Sequence, residues 1–343
     1  MINKLHFGKR VTDFRHKMGL SQSELAARLG VSAQAVSKWE NATTLPDMDV
    51  MLALSNLCGV TMNELLEDNS LISRIASRPF ESKNGIAYFV PPTPETYTER
   101  LQWEQSMCEK NWVERNWRDY WGQRGGWGDL EGSNIFEERN RGKRKEAAQR
   151  IADHGGLILD IGSGPGGGYM PCILQADLAA RIIVSDLSHT VVEEWKKLLD
   201  KEIDSPHLCY AAFDFCDIPF SDCTIDVVSD HAGILNCVGD RSTALREVYR
   251  VLKPGGLFVS SGAFVTKETL QALPENIRKD LLNEWPCVLE NLFEETMLAG
   301  FRKIDSEVMD GFCTDEGNSD FADWAMTKGV NIQFSDYVRC CVK

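Results

Sequence analysis

Apolar positions recur at helical spacing through the first sixty residues and then change period. From Leu5 to Met18, Val11, Phe14 and Met18 share one face, while Lys9, Arg10, Arg15 and Lys17 occupy polar positions. Gly19 ends that pattern, and Ser21 with Glu24 three residues on is a capping box opening a helix to Leu29. Gly30 breaks it, and Ser32 caps a third helix that turns Val36 and Trp39 inward. Pro46 and Asp47 open a fourth, bearing Met48, Met51, Leu52 and Leu57 and closed by Gly59. Farther on, Leu157 to Ile161, a run ending at Asp186, a run ending at Asp214, and the segments around Val228 and Phe258 are short and apolar throughout, as buried strands are. Helical segments separate them, and this alternation predicts a parallel sheet covered by helices on both faces.

The fold class expected is therefore α/β: a small all-α domain, then a doubly wound, mostly parallel sheet of seven strands. Residues 69–96 show no clear period and contain Pro91, Pro92 and Pro94, which favour extended chain. Expected boundaries are residues 1–68, a linker over 69–96, and a larger domain over 97–343 with an aromatic-rich helical start.

Charge localises any contact with nucleic acid. The net charge is −14, yet residues 1–67 hold seven basic and seven acidic side chains, leaving 30 against 44 in the remainder. A large acidic domain does not grip DNA over its whole surface, so the contact belongs to a face of the first domain. The eleven cysteines show no paired metal-ligand spacing, and several lie in apolar runs, which predicts reduced thiols and no metal site. No apolar stretch reaches the length of a membrane span, and the N-terminus lacks a secretory pattern, so a cytoplasmic location is expected.

Two helices around a short glycine turn make a helix-turn-helix. The stretch from Ser21 to Pro46 resembles the phage repressor and Cro-like (Xre) family across about sixty residues. That resemblance implies DNA as a partner, with the helix from Ser32 to Trp39 in the major groove. It places Gln22 and Ser32 at phosphates and Gln34, Ser37 and Lys38 at base or groove edges. The side chains suit those roles, since Gln binds adenine bidentately and Lys reaches guanine or phosphate. Ala42 stands where the family usually has glycine, a departure that concerns turn geometry. A pair of half-sites, and hence a homodimer, is the expected binding unit.

After the strand ending at Ile161 come Gly162, Gly164, Gly166, Gly167 and Gly168, which permit unusual backbone angles and close approach to a ligand. Dinucleotide enzymes share such a loop, so the remaining motifs decide. These are Asp186 at the end of the second strand, Asp214 followed by Pro219-Phe220, and Arg250 to Gly256 with its Lys-Pro-Gly-Gly turn. Together they resemble class I methyltransferases dependent on S-adenosylmethionine (SAM), of the type 11 kind; a nicotinamide fold explains neither that turn nor the terminal strands. The resemblance implies SAM as cofactor. It places Asp160, Gly162, Ser163, Gly164 and Gly166 around the methionine part and Asp186 on the ribose. Leu187 then flanks the adenine, Asp214 and Phe215 lie at its edge, and Ser229 and Tyr120 complete the pocket.

His231 and Asp230, at the carboxyl end of the fourth strand, are the candidate bases, with a packing role for His231 the equal alternative. Trp103, Trp112, Trp117, Trp121 and Trp127 pack a helical cap or form an aromatic lid beside Tyr120. Arg139, Arg141, Lys143, Arg144, Lys145 and Arg150 read as a solvated helix face. The motifs of DNA-base methylases, Asp-Pro-Pro-Tyr or Asn-Pro-Pro-Tyr and a Pro-Cys after the fourth strand, are missing, so a small-molecule acceptor is expected. The competing readings are a regulator that senses SAM without reacting, and a first domain that docks protein.

Overall fold

A computed structural model describes residues 4–60, 62–66, 70–89, 135–164, 168–202, 207–235, 240–284, 288–313 and 320–343. Contacts divide the chain into two units, Met1–Arg74 with Ser82–Gly85, and Ile75–Glu81 with Ile86–Lys343.

The first unit begins with α1 (Lys4–Lys17), α2 (Gln22–Leu29), α3 (Ala33–Glu40) and α4 (Met48–Cys58), followed by the short α5 (Met62–Leu66) and α6 (Ser70–Ile75). Ser21 accepts from the Glu24 amide and Glu24 from the Ser21 amide, closing the capping box at the start of α2. Ser32 and Asp47 cap α3 and α4 by a single bond each, accepting from the Ala35 and Val50 amides. Phe7, Val11, Leu25, Ala26, Val36, Trp39, Leu54 and Leu65 form its core. On α4 it is Met51 and Leu54 that are buried, while Met48 and Leu52 face solvent. A Cβ on Gly8 would stand 2.4 Å from the Trp39 carbonyl oxygen, so only glycine lets α1 lie this close to the end of α3. Ala42 follows α3 with φ +57, a left-handed angle that crowds its Cβ.

The second unit is built on one sheet. Its strands are β1 (Phe80–Lys83), β2 (Ile86–Phe89), β3 (Leu157–Ile161), β4 (Arg181–Asp186), β5 (Leu208–Ala212), β6 (Ile225–His231), β7 (Leu252–Phe264), β8 (Lys303–Cys313) and β9 (Gln333–Val342). They lie in the order β1-β2-β5-β4-β3-β6-β7-β9-β8. Parallel pairing runs from β2 to β7, and β9 inserts antiparallel between β7 and β8. Helices α7 (Ile135–His154), α8 (Met170–Ala176), α9 (His189–Glu202), α10 (Arg241–Val251) and α13 (Leu289–Leu298) connect or cover the strands; α11 (Lys267–Ala272), α12 (Glu275–Glu284) and α14 (Asp320–Lys328) are the other α-helices among the described residues of this unit. Strands β3 and β4 are buried almost end to end, which explains their unbroken apolar runs.

The sheet has nine strands where seven were expected. The two extra strands come from residues 80–89, inside the stretch read as a linker. Asn84 (φ +53) and Gly85 (φ +74) turn the chain between β1 and β2, and β2 adds beside β5. An Asn-Gly pair is a strong hairpin signal, and the proline-rich residues that follow it masked its meaning. Residues just ahead are also tied down: the Ser77 amide donates to the Pro219 carbonyl, and the Arg78 guanidinium pairs with Asp217 at 2.8 Å.

Two expectations follow for the first unit. Ala42→Gly removes a Cβ from a left-handed residue and should stabilise the domain by about 1 kcal/mol, net of the added chain entropy. Gly8→Ala should destabilise it, because the new methyl meets backbone that cannot rotate away. Thermal unfolding of the two variants beside the parent checks both signs; a lower midpoint for Ala42→Gly contradicts the first.

Candidate functional site

The strand order reverses at β3: the chain leaves β3 toward β4 and β5 on one side, and later returns to β6 and β7 on the other. In open parallel sheets the crevice at the carboxyl ends beside such a point accepts ligands. The polar residues singled out above meet at this edge.

Asp160, on β3, is buried and accepts from the Ser163 hydroxyl at 2.5 Å and the Ser229 hydroxyl at 2.6 Å. Asp160 and Ser229 are direct cross-strand partners, so the register of β3 on β6 creates the second bond. Burial pushes the Asp160 carboxyl up to about 7, against the two hydroxyls, which favour its charged form. The Ser185 hydroxyl of β4 donates to the Asp160 carbonyl at 2.7 Å.

Asp186 ends β4. Its carboxylate accepts from the Gly164 amide at 2.9 Å and the Ser188 amide at 2.8 Å, and burial raises its pKa despite those bonds. The first of these anchors the glycine turn, and the Trp195 indole of α9 anchors it again by donating to the Gly164 carbonyl at 2.6 Å. Gly162 has φ +56, and a Cβ there would press on Gly233 and Phe215, so this turn requires glycine. Leu187 is half-buried beside Asp186, and Asp214 caps a single 3₁₀ turn over Phe215–Asp217 by accepting from the Cys216 amide. Among the described residues, no arginine or lysine pairs with Asp160 or Asp186. The crevice is thus lined by two buried carboxyls without an ion-pair partner among the described residues.

Asp230 and His231 are neighbours on β6 and point to opposite faces of the sheet. Asp230 accepts from the Ser260 hydroxyl at 2.7 Å and the Ile234 amide at 3.0 Å, and burial raises its carboxyl to about 6. Behind Ser260 lies the fully buried Arg339, which donates to Ser260 at 3.0 Å and to Thr296 at 2.9 Å. His231 meets the Arg144 guanidinium through Nε2 at 2.9 Å and Ser261 through Nδ1 at 2.7 Å. A guanidinium offers only donors, so Nε2 accepts, and the neutral ring carries its proton on Nδ1. Burial and Arg144 hold the His231 pKa well below its usual value. Ala232, with φ +64, turns the chain immediately afterwards. Asp230 thus braces the following loop, and Nε2 of His231 is taken by Arg144.

In the first unit, Ser32, Gln34 and Lys38 are exposed on α3, and Ser37 is half-buried with the Asn41 amide on its carbonyl. Gln22 donates to Glu40 at 2.7 Å, and Glu40 receives Arg15 at 2.6 Å and 3.1 Å. Arg15 also donates to the Leu20 carbonyl at 2.9 Å, so this one side chain ties α1, the turn after it and the end of α3 together. Sequence reasoning read Arg15 only as a polar position and passed over Glu40, Trp195, Ser185, Ser261 and Arg339, since residues brought together by tertiary contacts leave no local signature. Tyr120, Gly166 and the tryptophan cluster lie outside the described residues. Among the described residues no helix is long and apolar enough to cross a membrane.

Comparison with known proteins agrees with this division. Residues 13–65 match the family model described as helix-turn-helix, and residues 159–260 match that described as methyltransferase domain. The ubiquinone/menaquinone biosynthesis C-methyltransferase of Geotalea daltonii is 35% identical over 104 residues, covering 30% of this chain and 44% of that one. The HTH-type transcriptional activator BcrR of Enterococcus faecalis is 35% identical over 69 residues, covering 20% and 34%. Among solved structures, a phosphoethanolamine N-methyltransferase of Haemonchus contortus superposes with a TM-score of 0.44 and 20% identity, covering 59% of this chain and 53% of that one. The chain spans about a third to a half of the length of the curated relatives it matches. The protein therefore joins a helix-turn-helix domain to a methyltransferase domain in a single chain.

Proposed function

We propose that the protein binds DNA through α3 and uses SAM to methylate a small molecule, working as a cytoplasmic homodimer. The observation that carries the cofactor reading is the crevice of two buried carboxyls around a glycine turn. SAM brings a sulfonium and an ammonium, the charges that Asp160 lacks, and ribose hydroxyls that the remaining lone pairs of Asp186 can accept. The names of the relatives, a C-methyltransferase and a transcriptional activator, support the two halves separately.

When bound, SAM supplies an electrophilic methyl group, and the protein's part is alignment in a closed site. Asp160 stabilises positive charge at the glycine turn, held in place by Ser163 and Ser229. Asp186 fixes the turn through Gly164, with acceptor capacity left for a ribose hydroxyl. His231 stays neutral and bonded on both sides, so the acceptor atom is one that is nucleophilic without losing a proton to this ring.

Calorimetric titration of the full chain with SAM should show binding that is lost in Asp186→Ala. No binding by the parent would overturn the cofactor reading, while tight binding without methyl transfer to any metabolite tried would favour a sensor. Affinity should also depend on pH. Free Asp160 titrates near 7, and a cationic ligand requires it ionised, so binding should weaken about ten-fold from pH 8 to pH 6. Asp160→Asn should bind weakly at both values, and a pH-independent parent would contradict this assignment.

For the first domain, Gln34→Ala should reduce discrimination between an operator and random DNA. Lys38→Ala should flatten the salt dependence of binding by roughly one unit of log-log slope if Lys38 meets a phosphate. Gel shifts over a salt series read both, and unchanged DNA binding in the double variant would leave a protein-docking role.

A further inference from the structure

The basic run on α7 was expected to be a solvated face, and one of its members is not. Lys143 pairs with Glu146 and Glu307, and Arg150 pairs with Glu307 at 2.8 Å, all at the surface. Arg144 turns inward instead. Its Nη2 lies 2.9 Å from Nε2 of His231, and its Nε is buried without any hydrogen-bond partner. Among the described residues no carboxylate lies within ion-pair distance of it. A neutral ring is a weak counterpart for a guanidinium, because it accepts a hydrogen bond and cancels no charge. An arginine kept charged at the margin of a buried site and left without an anion is costly unless something else supplies one.

The place of this guanidinium says what that could be. A Cβ on Gly168, at the end of the glycine turn, would lie 3.4 Å from the His231 Cβ and 3.7 Å from an Asp160 carboxylate oxygen. His231, Asp160 and the glycine turn therefore form one wall, on the face of the sheet that α7 covers. Ser261 holds the other side of the His231 ring, and the buried Tyr169 ring stands edge-on to the imidazole, with centroids 6.1 Å apart.

We propose that Arg144, held by neutral His231, is an anion subsite at the rim of the crevice, taking a carboxylate or phosphate of a molecule bound there. It rests on the cofactor reading only for which molecule brings the anion: the methionine end of SAM, or the methyl acceptor. The bond to His231 uses one of the five N–H donors of the guanidinium, and a planar donor fork suits a two-oxygen anion in either case.

The test uses the full chain and its Arg144→Gln and Arg144→Lys variants. Each is titrated with SAM and with 5′-methylthioadenosine, which shares the nucleoside and lacks the amino-acid end. Inorganic phosphate is then titrated against each protein, alone and saturated with S-adenosylhomocysteine, with thermal unfolding as the readout. Loss of about ten-fold or more in SAM affinity in Arg144→Gln, with methylthioadenosine unchanged and partial recovery in Arg144→Lys, supports the proposal and makes the cofactor the source. Unchanged SAM affinity with a phosphate-dependent rise in midpoint that Arg144→Gln abolishes also supports it, and makes the acceptor the source. Equal weakening of both nucleosides, or no difference between parent and Arg144→Gln in any titration, overturns it and leaves Arg144 as a packing partner of His231. If the parent binds neither nucleoside, the cofactor reading fails, and the phosphate titration of the unliganded proteins decides this proposal alone.

Discussion

The site depends on one buried carboxyl, Asp160, and on the need to satisfy it. Its side chain holds Ser163 of the glycine turn and Ser229 of β6, and its carbonyl receives Ser185 of β4. Three neighbouring segments are thereby tied to the end of β3 by short hydrogen bonds in a medium with no competing water. Such bonds are modest in net terms when made and costly when one partner is lost. Burial raises this carboxyl to about 7 even so, because the two hydroxyls only partly replace the water it has lost.

A second layer of cations holds the sheet behind the site. Lys253, in the Lys-Pro-Gly-Gly turn, reaches Asp226 at 2.8 Å, and Asp226 in turn caps the start of β3 through the Leu157 amide. Arg250 donates to the carbonyls of Ile218 and Phe220 and pairs with Glu247 and Asp222, fixing the loop after Asp214. Arg339 reaches across β7 to the Ser260 that holds Asp230. Through these bonds the basic residues in and after the α10–β7 motif brace the segments around Phe220, Leu157 and Ser260.

The contrast between His231 and Asp230 follows from a period of two. Successive side chains on β6 leave opposite faces, so adjacent candidates in the chain enter different environments. His231 joins Ser261 and the inward-turned Arg144 under α7, whereas Asp230 joins Ser260, Arg339 and Thr296. Each pairing is between direct neighbours in the strand register, His231 with Ser261 and Asp230 with Ser260. Position at the end of the fourth strand nominated His231 first and Asp230 second, and only the partner strand separates their surroundings.

Local chemistry determined much of this protein. The caps at Ser21, Ser32 and Asp47, the glycine turn after β3, and the acids ending β3 and β4 are encoded within a few residues of where they act, so they were legible in the sequence. The Asn84-Gly85 hairpin was equally local and was hidden only by the prolines beyond it. What the tertiary structure decided is every contact between distant segments: β2 joining β5, Arg15 clamped by Glu40, Trp195 on the glycine turn, and Arg144 turned away from its basic neighbours toward His231. A helix pattern specifies which face is buried but not which residue of a polar run lies nearest a buried partner. Strand register and helix packing choose that residue, and both are properties of the folded chain as a whole.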